Sequence, residues 1–191
     1  CKGDDMTLLI LGLILWVAAH FFKRVAPDAR AAMDDKMGNG AKGVIALVLL
    51  LSVVLMVIGY RGADATYFWD RSAATTGINN LLMLVAVALY GLGNSKSRLR
   101  AKMRHPMLWG TVIWAVAHLL VNGDTASLVL FGGLAIWALA EMQVINRAVH
   151  SYVPYDGGNV AGDVRLGIIT LVVFSVISGI HIWLGYNPFG G

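Results

Sequence analysis

The pattern of apolar and polar residues divides the chain into six long apolar runs joined by short polar segments. The runs cover residues 7–22, 43–60, 77–93, 107–121, 126–145 and 166–186. A helix needs about 20 residues to cross a bilayer, with about 17 as the low end, so the first and fourth runs are short. Open strands cannot cross lipid, and these runs show no period-two alternation. The pattern predicts an all-α, polytopic integral membrane protein, a bundle of six transmembrane helices.

The composition agrees with the membrane class. Of the 191 residues, 58% are hydrophobic and 14% are charged, and the mean hydropathy is +0.69. A soluble domain of this length is far more polar. The single cysteine, Cys1, excludes an internal disulfide, and the absence of a C-x-x-C-H motif excludes covalent haem attachment. The net charge of +4 comes from residues that flank apolar runs, so no nucleic-acid partner is indicated.

Lysine and arginine are distributed unequally between the two ends of the predicted helices. The first, third and fifth connections carry twelve of them: Lys23, Arg24, Arg30, Lys36, Lys42, Lys96, Arg98, Arg100, Lys102, Arg104, Arg147 and Arg165. The opposite side carries only Lys2, Arg61 and Arg71. Because positively charged short loops stay in the cytoplasm, this distribution predicts that both termini lie outside, in the periplasm of a Gram-negative cell.

Three features give finer expectations about individual segments. Residues 1–5, ahead of Met6, are interpreted as an N-terminal extension or an expression remnant, and residues 6–191 as one six-helix transmembrane domain. Pro106 is expected in the first turn of the fourth helix, where its missing N–H is harmless. Gly123, in the short connection that follows, is expected to close this helix in a left-handed conformation.

Three of the five histidines, His20, His118 and His181, lie inside apolar runs. An ionisable side chain at membrane depth indicates a functional site by default. The structural alternative is an interhelical hydrogen bond worth roughly 0.6–2 kcal/mol, and a single histidine leaves both interpretations open. His105, next to Arg104, belongs to the basic rim at the start of the fourth helix.

A local repeat connects two of these histidines. The first helix reads Trp16-Val-Ala-Ala-His20 and the fourth reads Trp114-Ala-Val-Ala-His118. Residues four apart share a helix face, so each tryptophan is expected beside its histidine. The two helices run in opposite directions, and a rise of ~1.5 Å per residue places both histidines near mid-membrane, at depths that differ by a few Å. The alanines around them let helices, or a flat ring, come close.

Two neutral imidazoles at similar depth suit one metal ion held between them. The predicted spans are read as free of carboxylates, so they lack the ligands of a zinc or di-iron site. A non-covalent haem b needs two imidazoles, an apolar slot and cations for its propionates. Arg61 or Arg71 on one side and the cluster at residues 100–104 on the other can supply the cations. His181 competes as second ligand, or orients a ligand histidine.

The same residues carry a family resemblance. Arg104-His105-Pro106, then Trp114-Ala-Val-Ala-His118-Leu-Leu-Val-Asn-Gly-Asp124, then Ala126-Ser-Leu-Val-Leu-Phe-Gly-Gly133 resemble the signature of the NnrU family of bacterial inner-membrane proteins. The resemblance covers nearly the whole chain from Met6. It implies a multi-pass protein of the bacterial inner membrane that is associated with denitrification, where the family is linked to nitrite and nitric oxide reduction.

More distantly, the chain is similar to the zeta-carotene isomerase of plants and cyanobacteria, a membrane enzyme that uses haem b. Carried over by motif, its two haem-ligand histidines fall on His20 and His118, which ranks this pair above any pair with His181. The isomerase has a cysteine where this chain has Ala115, so no thiolate ligand is expected there. The cofactor-binding candidates are therefore as follows: His20, His118, His181, Trp16, Trp114, His105 and Arg104, with His20 and His118 as the metal ligands.

Three functions compete on these grounds. The first is a haem b membrane protein with a redox, gas-binding or isomerase role, acting on a small hydrophobic substrate or with a respiratory partner. The second is a non-catalytic assembly or maturation factor for nitrite and nitric oxide reductases, in which the histidines join helices. The third, a transporter, needs a broken helix and polar ligands, for which the sequence offers Gly132–Gly133 and Asn79–Asn80. No catalytic residue is assigned, and the oligomeric state is left open.

Overall fold

The computed structural model describes residues 2–190, and nearly all of the regular structure is helical. The helices are α1 Lys2–Val25, α2 Pro27–Met37, α3 Asn39–Gly62, α4 Ala73–Leu92, α5 Pro106–Val121, α6 Thr125–Ser127, α7 Gly133–Ala148 and α8 Val160–Trp183. A 3₁₀ turn covers Arg98–Lys102, and a π-helical turn covers Leu128–Gly132. Two short strands, β1 Tyr67–Trp69 and β2 Gly123–Asp124, pair with each other. The all-α class is confirmed.

Five helices are long and apolar enough to cross a membrane. They are Asp4–Val25, Asn39–Gly62, Ala73–Leu92, Thr125–Ala148 and Val160–Trp183. The apolar helix α5 has 16 residues, a length of about 24 Å, which is less than the ~30 Å hydrocarbon core. The multi-pass membrane class is thus supported, whereas the six-span topology and the outside placement of both termini stay predictions.

The described chain divides into two compact units. The first unit comprises the chain through Phe68 together with Asp124–Gly133. In it, α1 packs against α3 over glycines that leave no room for a side chain. A Cβ on Gly59 would lie 2.3 Å from the Leu9 nitrogen, and one on Gly12 would lie 2.7 Å from the Met56 side chain. Small residues at such a crossing let two helices approach closely in lipid.

The first unit also contains the polar helix α2, which has no buried residue and carries an ion pair between Arg30 and Asp34. At the other end of the unit, Asp124 caps the helix that begins at Thr125. Its carboxylate accepts from the Ser127 nitrogen (2.9 Å) and the Ser127 hydroxyl (2.6 Å). That hydroxyl also lies 2.9 Å from the Tyr60 hydroxyl, which connects the cap to α3.

The second unit comprises Trp69–Gly123 and the chain from Leu134 onward. In it, α4 packs against both α5 and α8. The buried core joins Leu89 and Leu92 of α4 to Leu166 of α8. Helix α4 begins with a complete capping box, in which Ser72 and Thr75 exchange hydrogen bonds. Helix α5 begins at Pro106, as predicted.

The polar segments at the start of α5 and α8 are folded together in the second unit. Asp163 accepts from the Ser97 hydroxyl (2.7 Å), the Arg98 nitrogen (2.9 Å) and the Arg98 guanidinium (2.6 Å). The Arg100 guanidinium lies 4.3 Å from the centre of the Tyr155 ring. This end of the unit is therefore an ordered layer and not a set of free loops.

Two glycine expectations are corrected. Gly123 is not left-handed: the glycines with positive φ in the described chain are Gly38, Gly157, Gly158 and Gly185. Gly123 is instead required because a Cβ there would lie 2.3 Å from the Trp69 carbonyl oxygen. The proposed break at Gly132–Gly133 is also absent, since the helix continues through the π-helical turn.

Candidate functional site

His20 of α1 is held by its own helix. Its Nδ1 donates to the Trp16 carbonyl oxygen (2.8 Å), and the two rings lie against each other with centres 4.3 Å apart and a tilt of 40°. The sequence repeat predicted that Trp16 and His20 share a face, and this contact is confirmed. The first unit contains both residues.

His118 of α5 repeats this arrangement in the second unit. Its Nδ1 donates to the Trp114 carbonyl oxygen (2.9 Å), and the rings lie 4.9 Å apart with a tilt of 49°. The two copies of the Trp-x-x-x-His motif therefore have the same geometry, although they lie in different units. The alanines on either side of Val116, Ala115 and Ala117, are completely buried.

His181 of α8 has the same backbone contact without the tryptophan. Its Nδ1 donates to the Ile177 carbonyl oxygen (2.8 Å). A carbonyl oxygen can only accept, so in each of these three histidines Nδ1 carries the hydrogen. In the neutral imidazole, Nε2 then holds the electron pair that binds a metal. In this tautomer, each of the three neutral imidazoles can bind a metal only through Nε2.

The structure brings two of these histidines into one unit. His118 and His181 both lie in the second unit. Each lies near the C-terminal end of its helix, with three residues after His118 in α5 and two after His181 in α8. His20 belongs to the first unit.

Arg104 contacts the polar segment that leads from α7 to α8, and His105 contacts the last turn of α7. The Arg104 guanidinium donates to the Val149 carbonyl oxygen (2.5 Å) and lies 5.2 Å from the centre of the Tyr152 ring. His105 is the residue before α5, and its Nε2 lies 2.8 Å from the Asn146 side-chain oxygen. Arg104 is therefore held by this segment and His105 by α7, and the cofactor contacts of both stay predictions.

The side chains near these histidines limit the kind of metal centre that the protein can hold. Within residues 2–190, no group of three or more His, Cys, Asp and Glu side chains is arranged to hold a bare metal ion. A haem differs because its porphyrin supplies four ligands, and only two imidazoles come from the protein. Imidazoles that carry the hydrogen on Nδ1 fit this requirement through Nε2.

Sequence reasoning named Asn79 only as a polar candidate for a transporter and did not place it, or Asn122, next to His118. The Asn79 side chain of α4 is buried, and with the oxygen and nitrogen of its amide exchanged it donates to the Ala117 carbonyl oxygen (2.9 Å). The Asn122 side chain donates to the His118 carbonyl oxygen (2.8 Å). Asn79 was visible as a polar residue in an apolar run, but its sequence position does not reveal which helix it contacts.

Glu141 was also missed, and the reading of the spans as free of carboxylates is wrong. Glu141 lies in α7 within the span Thr125–Ala148, and its exposed fraction is 8%. Trp137, one turn earlier, is buried on the same face. The sequence signal was available, because Trp137-Ala-Leu-Ala-Glu141 repeats the Trp-x-x-x pattern of the two histidine motifs with a glutamate at its end.

Comparisons with known proteins agree with the resemblance noted in the sequence. The NnrU protein family matches residues 8–188, nearly the whole chain. A UPF0344 protein of Bacillus velezensis is 31% identical over 117 residues, which cover 57% of this chain and 89% of that protein. No solved structure matches the chain. The match over residues 8–188, together with the apolar helices, leads to one conclusion: the chain belongs to the NnrU family.

Proposed function

We propose that this NnrU-family membrane protein binds haem b non-covalently, with the iron held between two membrane-embedded histidines. His118 is the common member of the two candidate pairs, and its partner is His20 or His181. The observation that carries the proposal is the shared Nδ1 hydrogen bond to a carbonyl four residues earlier, at 2.8–2.9 Å. Such a bond fixes the tautomer and the ring orientation of a metal-binding histidine.

The side chains around His118 suit a flat, apolar cofactor. Trp114 lies against one side of the imidazole and restricts its rotation. Ala115 and Ala117 keep the flanks of the helix narrow. The Asn122 side chain donates to the His118 carbonyl oxygen, which satisfies this main-chain acceptor near the end of α5.

The sequence analysis named two groups of arginines that could bind the haem propionates, and the structure holds members of both groups in place. Arg71, before α4, donates to the Asn187 carbonyl oxygen at 3.2 and 3.3 Å, and each guanidinium has five N–H groups. Arg100 and Arg104 are likewise held by backbone oxygens and tyrosine rings. Arginines fixed in this way retain donors for a carboxylate.

The chemistry favoured by this donor set is electron transfer, because an iron with two imidazoles and a porphyrin has no open position. A gas-binding or isomerase role would require one imidazole to leave. We place the protein in the bacterial inner membrane, with a role linked to denitrification, on the basis of the family. The competing maturation-factor function treats the histidines as interhelical connectors, which would act through Nε2, because the Nδ1 bonds observed are within each helix.

The test is the absorption spectrum of protein purified from membranes supplied with a haem precursor. We expect a Soret band and a pyridine haemochrome of the b type, both lost in His118→Ala. His150→Ala, which changes an exposed histidine outside the helices, is the matched control and should retain them. A colourless wild-type protein of normal yield would contradict haem binding and favour the maturation-factor function.

A further inference from the structure

A dense group of cations lies at the end of the second unit where α4 ends and α5 begins. Residues 94–105 carry five lysines and arginines and no carboxylate. The connection 147–165, which folds against them, carries two basic and two acidic residues, so this end of the unit has a net charge of +5. The five cations of the first segment form a basic layer: Lys96, Arg98, Arg100, Lys102 and Arg104.

One cation of the basic layer has a carboxylate partner. The Arg98 guanidinium pairs with Asp163 of α8, which also accepts from the Ser97 hydroxyl. Within residues 2–190, the other four cations of the layer are not paired with a carboxylate. Crowded like charges repel one another, so an anion from outside the chain stabilises such a layer.

Two arginines of the basic layer are held in fixed orientations. The Arg100 guanidinium donates to the Ser95 carbonyl oxygen (3.1 Å) and lies over the Tyr155 ring. The Arg104 guanidinium is held in the same way, by a carbonyl oxygen and by the Tyr152 ring. A guanidinium has five N–H groups, and a tyrosine ring attracts its charge without using them. Donors therefore remain for phosphate oxygens, which arginine binds in bidentate pairs.

The position of the basic layer along α8 matches a lipid headgroup region. Asp163, in the first turn of α8, accepts from Arg98, so the layer is level with the start of this helix. Trp183, at the other end of α8, is exposed, and tryptophan is enriched at membrane interfaces. The 20 residues between them rise about 30 Å, which equals the thickness of a typical hydrocarbon core. In a membrane crossed by α8, the layer therefore lies among the headgroups of one leaflet.

Exposed apolar side chains accompany these cations. Leu99, between two arginines of the layer, has an exposed fraction of 52%. Val164 and Ile168 are exposed on one face of α8, directly beyond the level of the layer. An amphiphile with an anionic head and apolar chains matches this succession of cations and apolar surface.

A cofactor at His118 does not account for the basic layer. His118 lies 12 residues, about 18 Å, from the Pro106 end of α5 and three residues, about 4.5 Å, from its other end. A Cβ on Gly93, at the end of α4, would lie 3.2 Å from the Met107 side chain, so the start of α5 meets the end of α4. Arg71, before α4, is thus the nearer cation for a cofactor at His118, which leaves the layer for a different anion.

We propose that the basic layer binds the phosphate group of an anionic phospholipid. Arg100 and Arg104 are its oriented donors, and the exposed Lys96 and Lys102 attract the headgroup. The acyl chains lie along the apolar face of α8. A lipid bound in this way ties the segment before α5 to the connection before α8, and the interaction requires no haem.

The first experiment offers the full chain in detergent equal amounts of palmitoyl-oleoyl phosphatidylglycerol and palmitoyl-oleoyl phosphatidylcholine, and native mass spectrometry counts the bound lipids. These lipids share their acyl chains and differ in net charge. We expect the wild type to retain phosphatidylglycerol in excess. The double variant Lys96→Gln/Lys102→Gln should lower the ratio of the two bound lipids by about fivefold for each lysine removed.

The matched control is Lys36→Gln/Lys42→Gln, which removes two exposed lysines of the first unit and changes the net charge equally. It should keep the wild-type ratio. Equal binding of both lipids by the wild type, or equal losses in the two double variants, would overturn the proposal. Sodium phosphate in hundredfold excess should not displace the lipid, and displacement would assign the layer to free phosphate instead.

A second experiment tests the orientation of Arg100 without changing any charge. Tyr155→Leu removes the ring that lies 4.3 Å from this guanidinium. Tyr186→Leu, an exposed tyrosine after α8, is the control. We expect a several-fold loss of bound phosphatidylglycerol in Tyr155→Leu and none in Tyr186→Leu. Wild-type binding by Tyr155→Leu would overturn the assignment of Arg100 as an oriented donor.

Discussion

Gly59 of α3 lies directly against the main chain of Leu9 in α1: a Cβ on Gly59 would lie 2.3 Å from the Leu9 nitrogen. Leu9 is completely buried at this crossing. In lipid, where apolar side chains gain little by leaving the solvent, such close backbone approach is a main source of helix association. The first unit therefore depends on this crossing more than on large side chains.

Gly59→Ala is expected to destabilise the protein by about 1–3 kcal/mol, because the added methyl group forces the two backbones apart. Gly43→Ala, in the same helix with nothing within 4 Å of its Cβ, is the matched control. It should be neutral or more stable by up to about 1 kcal/mol, since alanine favours a helix. Thermal unfolding in detergent measures both, and equal midpoints would contradict the close crossing.

Asp124→Ala removes the cap of the helix that starts at Thr125. We expect a loss of about 1–2 kcal/mol, since the carboxylate satisfies two donors of Ser127 in a buried position. Asp124→Asn should retain part of this stability because its side-chain oxygen can still accept. Denaturant unfolding compares the three proteins. A cap of no energetic importance would give Asp124→Ala the same midpoint as the wild type.

Thr76→Val is expected to leave the stability of haem-free protein unchanged or to raise it by about 1 kcal/mol, because it removes a buried hydroxyl without a partner. Thr75→Val, one residue earlier, is the contrasting variant. Its hydroxyl belongs to the Ser72–Thr75 capping box, so its loss should destabilise the protein by about 1 kcal/mol. The prediction fails if thermal unfolding shows Thr76→Val to be the weaker of the two.

Trp114→Leu tests whether the ring beside His118 fixes the imidazole. Trp114 and His118 lie 4.9 Å apart, so we expect a broadened Soret band and at least a several-fold loss of haem retention on dilution. Trp109→Leu changes an exposed tryptophan on the same helix and should have no effect. Equal haem retention in the two variants would show that Trp114 contributes packing alone.

The sequence was sufficient for features that depend on local rules. The apolar runs predicted the membrane helices, Pro106 marked the start of α5, and the spacing of Trp114 and His118 predicted their contact. Each of these follows from the helical period or from the geometry of one residue. The run at residues 107–121 also predicted the extent of α5 to within one residue, whereas α8 begins at Val160, six residues before its apolar run, because helix ends depend on how the neighbouring segments pack.

The features that sequence reasoning missed depend on contacts between distant segments. Gly123 was assigned a left-handed conformation. Its small size instead lets the carbonyl group of Trp69, which lies 54 positions earlier, come close to it. The contact between Asn79 and Ala117 likewise requires knowing that α4 packs against α5. Glu141 is a different case, because its motif is visible in the sequence. It was overlooked because the spans were expected to contain no carboxylate.

The π-helical turn at Leu128–Gly132 determines in which direction the later side chains of the same helix point. A π turn holds one more residue than an α turn, and each residue rotates an α-helix by about 100°. Deleting one residue from this turn would restore an uninterrupted α-helix and rotate Trp137 and Glu141 by about a quarter of a circle. The burial of these two side chains, with exposed fractions of 6% and 8%, therefore depends on the number of residues in this turn.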